Sequence, residues 1–330
     1  MNYETWRKER AIEFKKEIPQ QTTINQEMSC LRRVFSEVAV THGFISKDTV
    51  PDIPSIRLPK DQKHRRDDLT AKEWEELERV ARLYWIKGTT RILDENYTIT
   101  KDKNGKYQTR SNQAFGGKRG KKQLVHRELA YLAMRVAMDT GMRPGSLRKL
   151  KWRDIGENTA IPKEERKIWV NIDVPAEKTK TGRSYRVAAP IAKFLERIRV
   201  ITKYKKMDDY IFTNQDSGKQ ISERIWQDSI ADLLVEARLA DWREDANSQV
   251  KKVVIHSGKN ITWYSFRHTY ITMRLSAGVP LPTVAANTDT SMKYIQEHYF
   301  HYRADESTEI LGKGRKIKPA EESFRWIGSS

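Results

Sequence analysis

The spacing of apolar residues in WYSFRHTYITMRL, residues 263–275, constrains the fold more than any other feature of the chain. Apolar side chains recur there at helical intervals and predict one packed face, formed by Phe266, Tyr270, Met273 and Ala277. Arg267 and His268 stand beside that stripe. Because burying a charged group is costly unless it has partners, we expect a packed helix whose arginine turns away from the apolar face.

The same helical period recurs along most of the chain. It predicts helices over residues 3–16, 22–43, 70–86, 127–139, 190–205, 221–239, 281–287 and 291–300, and one more starting at Pro144. KIWVNIDV (167–174) and SYRVAAP (184–190) are typical of two strands joined by PAEKTKTGR. The expected fold class is therefore mainly α with a small antiparallel β-sheet (α+β).

Residues 47–66 carry three prolines and a basic end, which is typical of a linker because proline holds the chain extended. We place a domain boundary near residue 62. It separates a small helical domain, residues 1–62, from a larger domain, residues 63–312, which is followed by a polar tail, residues 313–330.

The charge indicates a polyanionic partner. The chain has 62 Lys and Arg against 44 Asp and Glu, a net charge of +18, and lysines that neutralise phosphates release condensed counterions. Nucleic acid fits this excess best, although a merely soluble basic protein or one bound to acidic lipid would show it too. Residues 101–122 hold eight Lys or Arg and one acid, around a hairpin signal at Asn104-Gly105. That run is either solvated surface or a loop that contacts phosphates.

Cysteine content and hydropathy limit the cellular compartments in which we expect the protein. The single cysteine, Cys30, excludes an internal disulfide and a multi-cysteine zinc site. No run approaches the roughly 18–20 apolar residues of a membrane span, and the N-terminus lacks the apolar core of a signal peptide. We expect a protein of a reducing, intracellular setting with no membrane partner.

Four separated segments carry candidate chemistry. Arg143 lies between Gly141, which ends one helix, and Pro144, which starts another, so it is either a structural cap or a donor aimed into a cleft. Lysines follow in the strand-to-strand loop KTKTGRS, residues 178–184, where solvation is the ordinary interpretation. Arg267 and Tyr299 complete the set.

Taken together, these segments resemble the tyrosine recombinase (phage integrase) family. TGMRPGSLRKLKW (140–152) is similar to its first-arginine box, YSFRHTY (264–270) to its second-arginine box, and EHYFH (297–301) to its nucleophile segment. The resemblance covers roughly residues 62–312. It implies a catalytic domain over 63–312 and a partial core-DNA-binding domain over 1–62, and it leaves open whether the chain is a fragment of a longer integrase.

The resemblance also implies roles. Arg143 and Arg267 would clamp the scissile phosphate, which suits bidentate, always-charged guanidinium groups. Tyr299 would attack it and form a 3′-phosphotyrosyl bond. A lysine of the hairpin loop would protonate the leaving 5′-oxygen; Lys178 and Lys180 compete, and the Lys-Thr-Gly order favours Lys180. Such chemistry needs no nucleotide, metal or other cofactor, and His298-x-x-His301 lacks a carboxylate partner for a metal.

Three positions depart from the family pattern. Tyr264 occupies the place of the histidine in His-x-x-Arg, and Thr290, next to Asp289, takes the place of a second histidine or tryptophan. Ser146 stands where an acid is usual. Tyr264 can donate a hydrogen bond, but its ordinary pKa near 10 makes it a poor base; His268 and Thr290 are further candidates for direct roles.

The expected function is therefore site-specific DNA recombination that integrates or excises a mobile element. Implied partners are double-stranded DNA attachment sites, a homotetramer assembled on them, and a host DNA-bending protein or excision factor. The implied location is the cytoplasm of a bacterial or phage-infected cell, at the nucleoid. Two alternatives remain open: a catalytically decayed DNA-binding protein of the same fold, and a type IB-like topoisomerase.

Overall fold

The computed structural model describes residues 3–14, 16, 18–54, 67–91, 100–104, 108–111, 118–245 and 248–299. The chain divides into two units, residues 1–65 and 66–330. The predicted boundary near residue 62, Gly105 of the hairpin signal, His301 and the tail at 313–330 lie outside the described residues. Within those ranges, no helix has the length and apolar character needed to cross a membrane.

The first unit contains two helices, α1 (Tyr3–Glu13) and α2 (Gln21–Arg33), and α2 continues into a π-helical turn over Val34–Ala39. Ala11, Ile24 and Met28 are buried between them. The carboxylate of Glu27 accepts hydrogen bonds from the Tyr3 hydroxyl at 3.0 Å and from Arg7 Nε at 3.1 Å.

The second unit is mostly helical. Its helices are α3 (Ala71–Leu83), α4 (Lys118–Thr140), α5 (Pro144–Arg148), α6 (Ala192–Ile201), α7 (Glu223–Glu236), α8 (Trp263–Ser276), α9 (Leu281–Thr288) and α10 (Met292–Tyr299). Its strands are β1 (Thr89–Arg91), β2 (Thr109–Ser111), β3 (Ile155–Glu157), β4 (Val170–Val174), β5 (Tyr185–Ala189), β6 (Ala240–Asp245) and β7 (Ser248–Ile255). The predicted fold class, mainly α with a small antiparallel sheet, is confirmed.

Strands β3, β4 and β5 form an antiparallel sheet in that order. Ile172 of β4 pairs with Val187 of β5, and both are fully buried, because alternate side chains of each strand face the core. The loop between β4 and β5 carries Lys178 and Lys180. The sheet therefore presents the candidate lysines at one of its edges.

Two groups of buried side chains hold α8. Its first half packs into the main core, where the ring of Trp263 contacts that of Trp226, with centroids 4.1 Å apart and planes tilted by 41°. Its second half packs against α9 and α10 through a smaller cluster that includes Ile271, Val284 and Ile295. Tyr299 belongs to this smaller cluster, so the packing of α10 on α8 fixes its position.

Several sequence predictions need correction. Met273 is 41% exposed and Ala277 is also exposed, so the packed face of α8 ends earlier than the apolar spacing indicated. Helix α4 starts at Lys118 rather than at the predicted residue 127, and so takes in the end of the basic run, because lysine is a good helix former. Strands β6 and β7 form a hairpin that we did not predict, since their charged residues mask the period of two.

Candidate active site

Gly141 and Pro144 fix the backbone on either side of Arg143. Helix α4 ends at Gly141, whose φ of 64° lies in the left-handed region. A Cβ at this position would collide with the ring of Tyr270, so only glycine fits. Arg143 is then the N-cap residue of α5, with Pro144 at the first helical position. The local sequence thus determines where the Arg143 side chain leaves the backbone.

The Arg143 guanidinium binds Asp289. Nη1 donates to Asp289 Oδ2 at 2.5 Å and Nη2 to the Asp289 carbonyl at 2.6 Å. Thr181, in the β4–β5 loop, donates to the same carboxylate oxygen at 2.9 Å. Sequence reasoning placed Asp289 beside Thr290 but gave it no role, because nothing local signals a contact that spans so much of the chain.

Arg267 is buried, with 2% of its surface exposed, which its position beside the apolar stripe did not predict. Its Nη1 donates to the Gly141 carbonyl at 2.8 Å and its Nη2 to the Thr288 carbonyl at 2.6 Å. Nη2 also donates to Thr290 Oγ1. These partners compensate for burial, which sequence spacing alone could not show.

Burial lowers the pKa of Arg267 below its usual value. The phenol of Tyr264 acts in the opposite direction, and the nearby charge of Arg143 lowers the pKa further. An arginine starts from such a high pKa that it stays protonated at neutral pH all the same. The wall of the site therefore holds two guanidinium charges close enough to affect each other.

These groups line one cleft of about 1250 Å³. Its walls bring together five of the predicted site residues: Arg143, Lys180, Tyr264, Arg267 and Thr290. Tyr185, Arg183 and Arg186 also line it. Burial raises the pKa of the Tyr185 phenol, and the charges of Arg267 and Arg143 partly offset that rise. The described residues that line the cleft include five Lys and Arg, so the cleft is basic.

The two candidate lysines differ in their surroundings. Lys178 Nζ donates to Asp154 Oδ2 at 2.5 Å, and the two side chains are only 10% and 5% exposed. The Lys178 carbonyl accepts from Ser146 Oγ at 2.9 Å. Lys180 is exposed and lines the cleft. Lys178 is therefore paired and largely buried, whereas Lys180 is exposed at the cleft.

Tyr299 lies behind the cleft wall. It is 7% exposed, and its hydroxyl shares a hydrogen bond with His268 Nδ1. The His268 ring in turn lies beside that of Tyr264, with centroids 5.1 Å apart. Tyr264 lines the cleft, so His268 and Tyr264 connect it to Tyr299. The nucleophile candidate already contacts a group that can accept its proton.

No group of three or more His, Cys, Asp or Glu side chains that could hold a metal occurs among the residues that the structure describes. The arrangement supplies cations for an anion, a proton acceptor beside a phenol and an exposed ammonium. In chemical terms, these are the components that phosphoryl transfer to a tyrosine requires.

Comparison with known proteins agrees with this chemistry. The family model described as phage integrase family matches residues 121–306, which is more than half of the chain. No curated protein matches the sequence.

A solved structure with a TM-score above 0.5 has a similar fold. The Tn1549 transposon integrase in complex with circular intermediate DNA is 15% identical, with a TM-score of 0.51, over 93% of this chain and 84% of that one. The XerH site-specific recombinase bound to its difH substrate is 16% identical, with a TM-score of 0.44, over 78% of this chain and 55% of that one. The chain thus spans little more than half the length of XerH.

Proposed function

The chain belongs to the phage integrase family, and from that membership we propose that it is a site-specific DNA recombinase. It cleaves and rejoins DNA strands through a 3′-phosphotyrosyl intermediate and so integrates or excises a mobile element. The observation that carries the proposal is one cleft that gathers Arg143, Lys180 and Arg267 from distant parts of the chain, with Tyr299 behind its wall.

The arginines act on the phosphate. Negative charge builds on the nonbridging oxygens as the tyrosine attacks, and preorganised cations in a partly desolvated site stabilise it. Arg143 and Arg267 are held by hydrogen bonds from several elements, so they need little reorganisation when the phosphate enters. Tyr264 adds a hydroxyl donor to the same cleft where other family members have an imidazole, and Thr290, which accepts from Arg267, stands where they have a histidine or tryptophan.

The nucleophile is Tyr299. Its oxygen attacks phosphorus, the bond to the 5′-oxygen breaks, and the phenol proton passes to His268, which already shares a hydrogen bond with it. Because the hydroxyl lies behind the cleft wall, Tyr299 must turn toward the phosphate when DNA binds. The new bond keeps the energy of the phosphodiester, so the reverse attack rejoins the strand.

The leaving 5′-oxygen takes its proton from Lys180. An exposed ammonium at the edge of the cleft can reach that oxygen, whereas Lys178 is engaged with Asp154. General acid catalysis of this kind contributes about 10²- to 10⁴-fold to a rate.

The partner is double-stranded DNA carrying attachment sites. The net charge of +18 supports such a partner. Four copies assemble on two sites, with a host bending protein or excision factor as an accessory.

Residues 63–312 form the catalytic domain, residues 1–62 part of a core-DNA-binding domain, and residues 313–330 a tail. The protein works in the cytoplasm, at the nucleoid.

A covalent-adduct assay tests this function. The protein is incubated with nicked duplexes that tile the DNA bordering its gene, and products are separated by denaturing electrophoresis. We expect an adduct on at least one duplex and none with Tyr299→Phe, which lacks the attacking oxygen.

A native gel and a plasmid-relaxation assay, run beside the adduct assay, separate the rival functions. A decayed DNA-binding protein would shift a duplex in a native gel without forming an adduct on any of them. A topoisomerase would relax supercoiled plasmid that lacks an attachment site, whereas a recombinase leaves such plasmid supercoiled.

A further inference from the structure

Asp289 stands out in the cleft by its charge. Among the described residues that line it, Asp289 is the single acid and stands beside five Lys and Arg. An anion weakens the attraction of a basic cleft for a phosphate. Its presence there therefore needs a compensating reason.

The contacts of Asp289 join two parts of the site. Its carboxylate binds Arg143 Nη1 at 2.5 Å and the Thr181 hydroxyl at 2.9 Å. Its carbonyl binds Arg143 Nη2 at 2.6 Å. Thr181 is the neighbour of Lys180 in the β4–β5 loop, so one residue contacts both the phosphate-binding arginine and the loop of the general acid.

The backbone of Asp289 is unusual. Its φ is 48°, in the left-handed region that non-glycine residues rarely adopt. Among the described residues, Arg238 is the other non-glycine residue with a positive φ. Asp289 is the C-cap of α9, and helices commonly end in a residue of this conformation. Here it directs both the carbonyl and the carboxylate toward Arg143.

We propose that Asp289 is a positioning residue for strand cleavage, which holds the Arg143 guanidinium and, through Thr181, the loop that carries Lys180. The inference rests on the proposed function. Asp289 does not block the phosphate, because its bonds engage one N–H on each Nη atom of Arg143. The Nε–H and one further N–H on each Nη remain for the phosphate.

The test uses a nicked duplex on which the wild type forms its adduct. Asp289→Gly removes the carboxylate and suits the left-handed backbone, while Asp289→Asn keeps an acceptor and tolerates that backbone. Arg238→Gly is the matched control, because it makes the same kind of change at the other positive φ. The readouts are the single-turnover rate of adduct formation and the affinity for DNA.

We expect Asp289→Gly to slow adduct formation roughly 10- to 100-fold, as a misplaced catalytic group does. Its DNA affinity should not weaken, since an anion has left a basic cleft. Asp289→Asn should stay within about fivefold of the wild type, because a neutral acceptor keeps part of the bond. Arg238→Gly should react at the wild-type rate.

Thr181→Val tests the second link. We expect a loss of roughly threefold to tenfold on the ordinary duplex, since proton transfer depends on the position of the acid. A duplex with a 5′-thio leaving group, which needs no acid, should show no loss. A merely structural defect would slow both duplexes alike.

Several results would overturn the inference. These are wild-type rates for Asp289→Gly, a loss explained entirely by weaker DNA binding, an Asp289→Asn variant as slow as the glycine variant, or equal slowing of both duplexes by Thr181→Val. No adduct from the wild type on any duplex would instead overturn the proposed function itself.

Discussion

Arg143 and Arg267 reach the same cleft from two regions that hold them in opposite ways. Arg267 projects from the middle of the packed helix α8, is 2% exposed, and donates to main-chain carbonyls of Gly141 and Thr288. Arg143 leaves a short junction between α4 and α5, with its side chain 16% exposed, and donates to the carboxylate and carbonyl of Asp289.

The different partners of the two arginines imply that Arg267 contributes to both stability and cleavage, whereas Arg143 contributes mainly to cleavage. Main-chain carbonyls stay in place when side chains change, so Arg267 joins the end of α4 to the end of α9 and is part of the fold. Arg143 depends on a single residue at the edge of the cleft, Asp289, through its carboxylate and its carbonyl, so it can adjust without disturbing the core. Both arginines should matter for cleavage, but only Arg267 should matter much for stability.

Substitution of Arg143 or Arg267 by alanine should give the largest losses in the rate of adduct formation. We expect each variant to form adduct about 10²- to 10³-fold more slowly, the usual loss when one donor to a developing charge is removed. Arg267→Ala should also lower the free energy of unfolding by about 1–3 kcal/mol, because buried carbonyls lose their donor. Arg143→Ala should cost less, about 1 kcal/mol, because Asp289 keeps the Thr181 hydroxyl as a donor and lines the cleft.

Single-turnover assays and urea denaturation measure these two quantities. The control is Arg238→Ala, which lies outside the cleft lining. Equal losses of stability in the two arginine variants would show that the contrast between the two regions is wrong.

The same contrast recurs between two lysines of one loop. Lys178→Ala should lower the free energy of unfolding by about 3 kcal/mol, because it leaves Asp154 buried without its cation. Lys180→Ala should leave stability unchanged and slow cleavage at least about 10²-fold. Urea denaturation and the adduct assay measure the two effects.

A 5′-thio duplex sharpens the lysine comparison. It should restore the rate of Lys180→Ala, since the leaving group then needs no proton. If Lys178→Ala, measured on its folded fraction, is the variant restored by the thio duplex, the two roles are reversed.

The sequence predicted the helical ends that direct Arg143, because Gly141 and Pro144 act locally. It also predicted that Arg267 and Tyr299 belong to one site, through the resemblance of their segments to a family. It could not predict that Arg267 is buried, since its partners Gly141 and Thr288 come from other elements. Local sequence patterns do not show contacts between elements that are distant in the chain.

Asp289 illustrates the same limit. Its contact with Arg143 joins residues far apart in the chain, and its left-handed backbone has no reliable signal in an aspartate. The Lys-Thr-Gly order already favoured Lys180 over Lys178, but the burial of Lys178 against Asp154 had no signal in the sequence. These roles stay predictions until variants test them.

Lysine in place of each arginine should have a smaller effect than alanine. Arg143→Lys keeps a cation that Asp289 can bind, so we expect about a tenfold loss in adduct formation. Arg267→Lys places a single ammonium where two carbonyls of separate elements need donors, so we expect roughly a 100-fold loss. The adduct assay compares them directly, and a smaller loss for Arg267→Lys would contradict the proposed difference.

Low pH should destabilise α8, which carries Arg267, more than α5, which follows Arg143. Lys259, just before α8, donates to the Glu73 carboxylate at 2.6 Å. Burial alone would raise the pKa of Glu73, but hydrogen bonds from Lys259 and Thr70 outweigh it and lower the pKa below its ordinary 4.5. A carboxyl with a lowered pKa in the folded state stabilises above its ordinary pKa and loses that contribution as pH falls through the folded value.

Glu73→Gln should therefore lower the free energy of unfolding by about 1 kcal/mol near neutral pH, as loss of a helix cap does. Its difference from the wild type should shrink as the pH falls below 4.5 and the wild-type carboxyl takes up its proton. Amide hydrogen exchange should then rise in α8 of the wild type while α5, next to Arg143, stays unchanged. Equal exchange in both helices at low pH would mean that the carboxyl stabilises the whole unit, and that α8 has no separate anchor there.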